Sequence, residues 1–186
     1  MLSDLEFERG LAQGHTRLIA MIEDPEGLHH VDAIAQSHPR MIGLIVGAED
    51  LAMSMRMEVH EDALYAPNIM ILLAARRAGI LPLGFIGSVA DYKDQDAFRR
   101  RIEQARALGF EGAFCIHPSQ VPILNEGFSP QPDALEHAQG LMLAFEQARA
   151  EGRSAFAYKG RMVDLPIIEQ ARHLLARVAR IRGRKG

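Results

Sequence analysis

The chain is poor in several features that would place it at once. It has a single cysteine, Cys115, which excludes a disulfide within the chain. No apolar run approaches the roughly 20 residues that a membrane-spanning helix needs. The N-terminus lacks the basic, apolar and small-residue order of a signal peptide, so the expected location is cytoplasmic. An excess of one charge is also missing, since 21 Lys and Arg against 24 Asp and Glu leave a formal charge of −3 and a pI near 6.2. Such a balance gives no field that would gather nucleic acid or a membrane surface, and a small molecule or another protein is the expected partner. P-loop, G-x-G-x-x-G and Ser-His-Asp patterns are absent, as are internal repeats and low-complexity linkers.

What is present is a globular composition, 186 residues of which 48% are hydrophobic, long enough to bury a sizeable core. Four short apolar runs recur, each followed by a stretch of helical periodicity. Leu18–Ile22 precedes a helical stretch over 25–36. Met41–Val46 precedes one that becomes clear from Pro67 to Arg77, with Gly79 as its C-cap. Leu81–Val89 precedes Asp94–Leu108, where Phe98, Ile102, Ala105 and Leu108 share a face. Ala113–Ile116 ends at His117-Pro118, and a helix over 131–151 packs Leu135, Leu141, Met142 and Phe145. Strands apolar on both faces and alternating with helices describe an α/β fold with a parallel sheet, about four βα units. Glu151–Asp164 has no apolar periodicity and reads as a loop or flap, with Gly152, Ser154 and Gly160 as breakers. Leu165–Arg182 is helical, its basic end a solvated helix terminus or a phosphate or partner patch. The expected domain division is 1–150 for the βα units and 151–186 for the flap and last helix.

In parallel α/β folds, chemistry gathers beyond the carboxyl ends of the strands. Those ends carry Glu23-Asp24, Glu49-Asp50, then Asp91 and Asp94, and finally His117. Clustered carboxylates raise one another's pKa unless a cation compensates, so acids converging on one rim suggest a hard ion such as Mg²⁺. Each of these acids also has a plainer use as a helix N-cap, as Asp24 before Pro25 or Asp50 before Leu51. His15, His29, His30, His38, His60, His137 and His173 show no metal-ligand spacing. Met53, Met55 and Met57 read as core or interface fillers, and Cys115 as an inert core residue inside a strand.

The segments "LIAMIEDPEGL" (18–28), "GLIVGAEDLA" (43–52), "YAPNIMILLAARRAGILPL" (65–83), "ALGFEGAFCIHPSQVPILNEGFSP" (107–130) and "YKGRMVDLP" (158–166) together resemble the citrate lyase β subunit and malyl-CoA lyase family of CoA-ester lyases and aldolases. The resemblance implies part of a (βα)8 TIM barrel, the C-terminal half, because the family's first-half acidic block and substrate-carboxylate arginine have no counterpart in these residues. It implies Mg²⁺ held by Glu23 and Asp50, which would also meet the substrate, and a coenzyme A ester as that substrate. By the same resemblance His117, Pro118 and Gln120 lie near the adenine end of coenzyme A. Asp164 corresponds to a catalytic acid that in some relatives arrives from a neighbouring subunit, although as a residue before Leu165-Pro166 it also fits a helix N-cap. Asp24 stands where relatives carry Thr or Ser. The implied activity is Mg²⁺-dependent cleavage of a citryl-CoA or malyl-CoA type ester, with a second copy or another chain completing the barrel. The alternative is a half-barrel assembly or CoA-binding protein without activity.

Overall fold

Residues 1–17 carry no apolar run, yet Glu6 on the first helix, Leu2–Glu8 (α1), is 2% exposed. The computed structural model describes residues 1–90, 93–153 and 156–183, and in it Glu6 meets the equally buried Arg40. The guanidinium donates to the carboxylate through both terminal nitrogens, at 2.5 and 2.6 Å. Gly14 and Thr16 add backbone N–H donors at 2.8 and 2.7 Å. Arg40 also donates to the Thr16 carbonyl at 3.0 Å. A charged pair out of water is tolerated only when its hydrogen-bonding capacity is filled in this way.

This pair fastens the N-terminal segment to the start of a parallel sheet. Leu18–Ile22 (β1) pairs with Met41–Val46 (β2), in register from Ile19↔Gly43 to Ile22↔Val46. Side chains alternate across such strands. Ala20 and Ile22 of β1 join Leu44 and Val46 of β2 in one apolar cluster, in which Leu44 is fully buried. Two short helices connect the strands, Pro25–His29 (α2) and Val31–Ala35 (α3), instead of the single stretch expected over 25–36. His30 interrupts them.

Ala48–Met55 (α4) follows β2, and Glu61–Ala78 (α5) follows it in turn. α5 begins six residues before the expected Pro67, because His60 caps it and Pro67 is accommodated inside. Gly79 ends it in the left-handed conformation, as expected. Leu81–Pro82 (β3) pairs in parallel with β2, giving the order β1-β2-β3. The strand expected over 81–89 stops there. Gly84 and Gly87, at φ 129° and 142°, carry the chain out of extended geometry. Ala113–Ile116 is likewise no strand. It is preceded by one parallel bridge, Leu83↔Gly112, and the N–H groups of Ile116 and His117 bond a side chain in place of a neighbouring strand. Gln95–Leu108 (α6) presents Phe98, Ile102 and Ala105 to a second cluster, as its spacing predicts. Gln120–Gly127 (α7), unforeseen in the sequence, contributes Ile123 and Leu124 to it.

Residues 1–128 form one compact unit and 129–186 another. In the second, Pro132–Ala150 (α8) packs on Leu165–Arg182 (α9). The segment expected as an irregular flap contains an antiparallel hairpin, Phe156–Tyr158 (β4) with Arg161–Val163 (β5). Lys159 and Gly160 turn it with φ 48° and 77°, the double left-handed geometry of a two-residue hairpin loop. Its Val163 is buried in a cluster with Leu141, Ile168 and Ala171. Gly160 therefore serves a turn and not a hinge; Gly152 follows the end of α8 at φ 70°, and Ser154, the third breaker, lies outside the described residues.

The Arg40 guanidinium holds the Glu6 carboxyl well below the usual carboxylate range. The unfolded chain then binds this proton more tightly than the folded one. The resulting stabilisation is complete above the ordinary value of 4.5 and declines as pH falls below it. Glu6→Gln is expected to lower the thermal midpoint at pH 7 by several degrees, with the gap to the unaltered chain narrowing below pH 4.5; melting curves by circular dichroism at several pH values measure both effects.

Candidate functional site

The register of β1 on β2 carries directly into the site. The Gly47 N–H donates to the Ile22 carbonyl at 3.0 Å, extending the ladder one residue past the strand and placing Glu23 beside Gly47. A Cβ at Gly47 would stand 2.5 Å from Glu23 Cγ and 2.7 Å from its Oε1. With φ at −85°, position 47 needs glycine for space and not for conformation. Gly47 is also the N-cap of α4, so Glu49 and Asp50 fall in that helix's first turn, where the backbone dipole favours carboxylates.

Glu23, Glu49 and Asp50 line one cavity of about 360 Å³, with Met21, Ile45, Phe85, Phe114 and Ile116 among its apolar lining. Gly84, Gly87 and Val89 close it from the segment after β3. The segments following β1, β2 and β3 and the irregular stretch 114–116 thus all contribute. Its described lining residues include no Lys, Arg or His. A carboxylate rim without a basic partner suits a cation, and oxygen donors suit a hard one. Among the described residues, no group of three or more His, Cys, Asp or Glu side chains gathers to hold an ion. Glu23 and Asp50 are the pair available, and two carboxylates with water and substrate oxygens are a usual Mg²⁺ complement. The glycine at 47 leaves room for the Glu23 carboxylate on this rim, so the donor set fits.

Side chains hold the cavity's irregular wall. The Ser88 hydroxyl donates to Glu49 and accepts from the Ala90 N–H, the latter at 2.9 Å. Gln120 is 1% exposed. Its carboxamide accepts from the N–H groups of Ile116 and His117 at 3.0 and 3.2 Å and donates to the Val89 carbonyl at 3.3 Å. Arg101 packs against Gly87, where a Cβ would lie 3.1 Å from its Cδ, and its Nε donates to Glu61 at 3.0 Å.

The other expected residues are placed as follows. Asp24 caps α2, accepting from the Gly27 N–H at 2.6 Å, and Asp94 caps α6, accepting from Ala97 at 2.9 Å. The capping use therefore holds for these two, whereas Asp50 sits inside the first turn of α4 and is not its cap. Asp91 lies outside the described residues. His117 and Pro118 are exposed, and His117 Nδ1 accepts from the Ser119 N–H at 3.2 Å. Cys115 lies outside any strand, which corrects that part of its reading, and is half-buried, packing against the second cluster while also lining the cavity. Met53 and Met55 are exposed and fill no core. Asp164, in the second unit, is exposed and caps α9, accepting from the Ile167 N–H at 3.4 Å. Sequence reasoning missed Ser88 and the space requirement at Gly47, and neither carries a signal without the register.

A family model described as HpcH/HpaI aldolase/citrate lyase matches residues 1–118. An L-malyl-CoA/beta-methylmalyl-CoA lyase of Cereibacter sphaeroides is 35% identical over 182 residues, covering 86% of this chain and 57% of its own length. The citrate lyase subunit beta of Leuconostoc mesenteroides subsp. cremoris is 32% identical, covering 94% of this chain and 58% of its own. The chain thus spans a little over half the length of these curated relatives. Among solved structures, CitE from Mycobacterium tuberculosis, in complex with magnesium, acetoacetate and coenzyme A, superposes with a TM-score of 0.71 at 28% identity, over 95% of this chain and 72% of that one. A citrate lyase from Burkholderia xenovorans LB400 superposes at 0.80 with 18% identity, over 97% of this chain and 58% of that one, a likeness of fold.

Gly47→Ala is expected to push the Glu23 side chain aside without unfolding the strand that carries it. Thermal stability should stay within a few degrees of the unaltered chain, while Mg²⁺ affinity measured by calorimetry falls about tenfold or more, the usual cost of disturbing how a ligand is oriented.

Proposed function

The chain belongs to the HpcH/HpaI aldolase/citrate lyase family, and we propose that it is the Mg²⁺-binding part of a carbon-carbon lyase acting on a short hydroxyacyl-CoA ester of the citryl-CoA or malyl-CoA type. The observation that carries this reading is the meeting of Glu23 and Asp50, from adjacent strand ends, on one cavity. Glu23 and Asp50 would hold Mg²⁺, which when bound would supply a Lewis acid for the oxygens of the oxo-acid portion. Glu23 and Asp50 orient the ion, and the apolar lining from Met21, Ile45 and Phe85 keeps bulk water from the reacting end. His117 and Pro118, exposed on one turn, meet the coenzyme A moiety. Gln120 supports that contact by holding the turn's backbone. Asp164 supplies the acid that moves a proton at the thioester carbon, brought from a second copy of the chain.

The site also needs cover. Met21, Phe114 and Ile116 line the cavity and remain exposed, Ile116 at 61%. Ile19 shares the face of Met21 along β1 and is exposed as well. Apolar surface of this kind, beside strands with free edges, favours association. A partial TIM barrel of about four βα units, completed by a second copy or by a chain supplying the other half, accounts for it. A non-catalytic assembly or CoA-binding role is the second reading. That the cavity's described lining residues include no basic side chain favours it, because the acid end of the substrate meets no cationic partner among them.

Incubation with citryl-CoA, malyl-CoA and citramalyl-CoA distinguishes the two. Release of acetyl-CoA from one ester supports the lyase, and release from none supports the second reading. In an active preparation, Asp164→Asn should reduce turnover by a factor on the order of 10² to 10⁴, the range of a positioned acid or base. Folding should be preserved because Asn caps as well as Asp. Unchanged turnover would leave capping as the residue's whole role. Light scattering at micromolar concentration is expected to show a defined oligomer, and a stable monomer would remove the case for a completing partner.

A further inference from the structure

Ser88 ties the segment after β3 to a rim residue of the cavity, Glu49. Its oxygen accepts the Ala90 N–H at 2.9 Å, so its own proton is directed to Glu49. Glu49 precedes Asp50 in the first turn of α4 and lines the same cavity as Glu23 and Asp50. Three carboxylates border this space, but no three converge on a common point among the described residues. We propose that the Ser88 hydroxyl withholds Glu49 from the cation, so that an ion held by Glu23 and Asp50 keeps positions open for water and substrate oxygens. This rests on the assignment of Glu23 and Asp50 as the ion's ligands.

The physical case is one of competition. Mg²⁺ takes six oxygen donors in near-ideal octahedral geometry, and a third carboxylate would occupy a position that a chelating substrate needs. It would also cancel the positive charge that polarises the substrate oxygen. The clasp is formed without help from an ion, because Gln120 on Val89 and Arg101 on Gly87 fix the residues on either side of Ser88. A released Glu49 would favour Ca²⁺ in particular, which accepts six to eight donors and bidentate carboxylates.

Calorimetric titration of the full chain with MgCl₂ and CaCl₂ tests this, using Ser88→Ala, Ser88→Thr, Glu49→Gln, the double variant Ser88→Ala/Glu49→Gln, and Asp50→Ala as reference. Ser88→Ala should bind Ca²⁺ about tenfold tighter or more, the scale on which partners of metal ligands act, and Mg²⁺ tighter by less. Ser88→Thr keeps the hydroxyl and should titrate as the unaltered chain, whereas Glu49→Gln and the double variant should bind neither ion tighter than the unaltered chain. Unchanged or weaker binding by Ser88→Ala, with Asp50→Ala having lost binding, overturns the role of Ser88 and leaves the ligand assignment standing. Loss of Mg²⁺ binding in Glu49→Gln as large as in Asp50→Ala makes Glu49 a ligand and also overturns it. Unaltered Mg²⁺ binding by Asp50→Ala overturns the ligand assignment and this inference together.

Discussion

The parallel register of β1 on β2 is the constraint on which the site depends. Ile22 opposite Val46, continued by the Gly47 N–H on the Ile22 carbonyl, brings Glu23 against a residue with no side chain. The same glycine starts α4, which fixes Asp50 three residues further on. Two carboxylates are thereby aimed at one space by backbone pairing alone, without an interaction between them. A slip of one residue would exchange the faces of a strand. Met21 or Ile45 would then turn toward the cluster that Ile22 and Leu44 occupy, so the burial of Leu44 protects the geometry of the acids.

The facing wall is built on another plan. β3 leaves the sheet after two residues, and Glu49, Arg101 and Gln120, from three different helices, hold the chain that follows. A ladder hydrogen bond is made by the backbone and survives a change of side chain, whereas each of these ties is lost with one substitution. The cavity therefore joins a wall shaped by backbone pairing, with the space at Gly47 as its one side-chain requirement, to a wall whose shape is written in several particular residues.

Much of the fold could be read from the sequence where the signal is local and periodic. β1, β2, α6, α8 and α9 lie close to where apolar spacing and capping residues put them. The third apolar run misled for a definite reason. Apolar composition records burial, and Phe85 and Ile86 are buried without being in a ladder. The hairpin escaped notice because three-residue strands are too short to show alternation. At the site, the acids after β1 and β2 were identifiable because chemistry collects at strand ends, but which acid caps a helix and which faces the cavity is set by one residue of helix phase. Asp24 stands at an N-cap, Asp50 three residues inside a helix. Ser88, Gln120 and the Glu6–Arg40 pair act across 31 to 39 residues of chain, and no window of sequence contains both partners.

The Glu6–Arg40 pair bears on how descendants of this chain can diverge. Each partner is sealed from water by the other, and Gly14 and Thr16 spend their backbone N–H groups on the same carboxylate. An exchange of either residue alone leaves a desolvated charge with no counter-ion, whereas an apolar pair of similar volume can be neutral. Single steps are costly and the joint change is the easier one. Positions 6 and 40 should then behave as one heritable unit among related sequences, varying together or not at all, although neither of them touches the cavity.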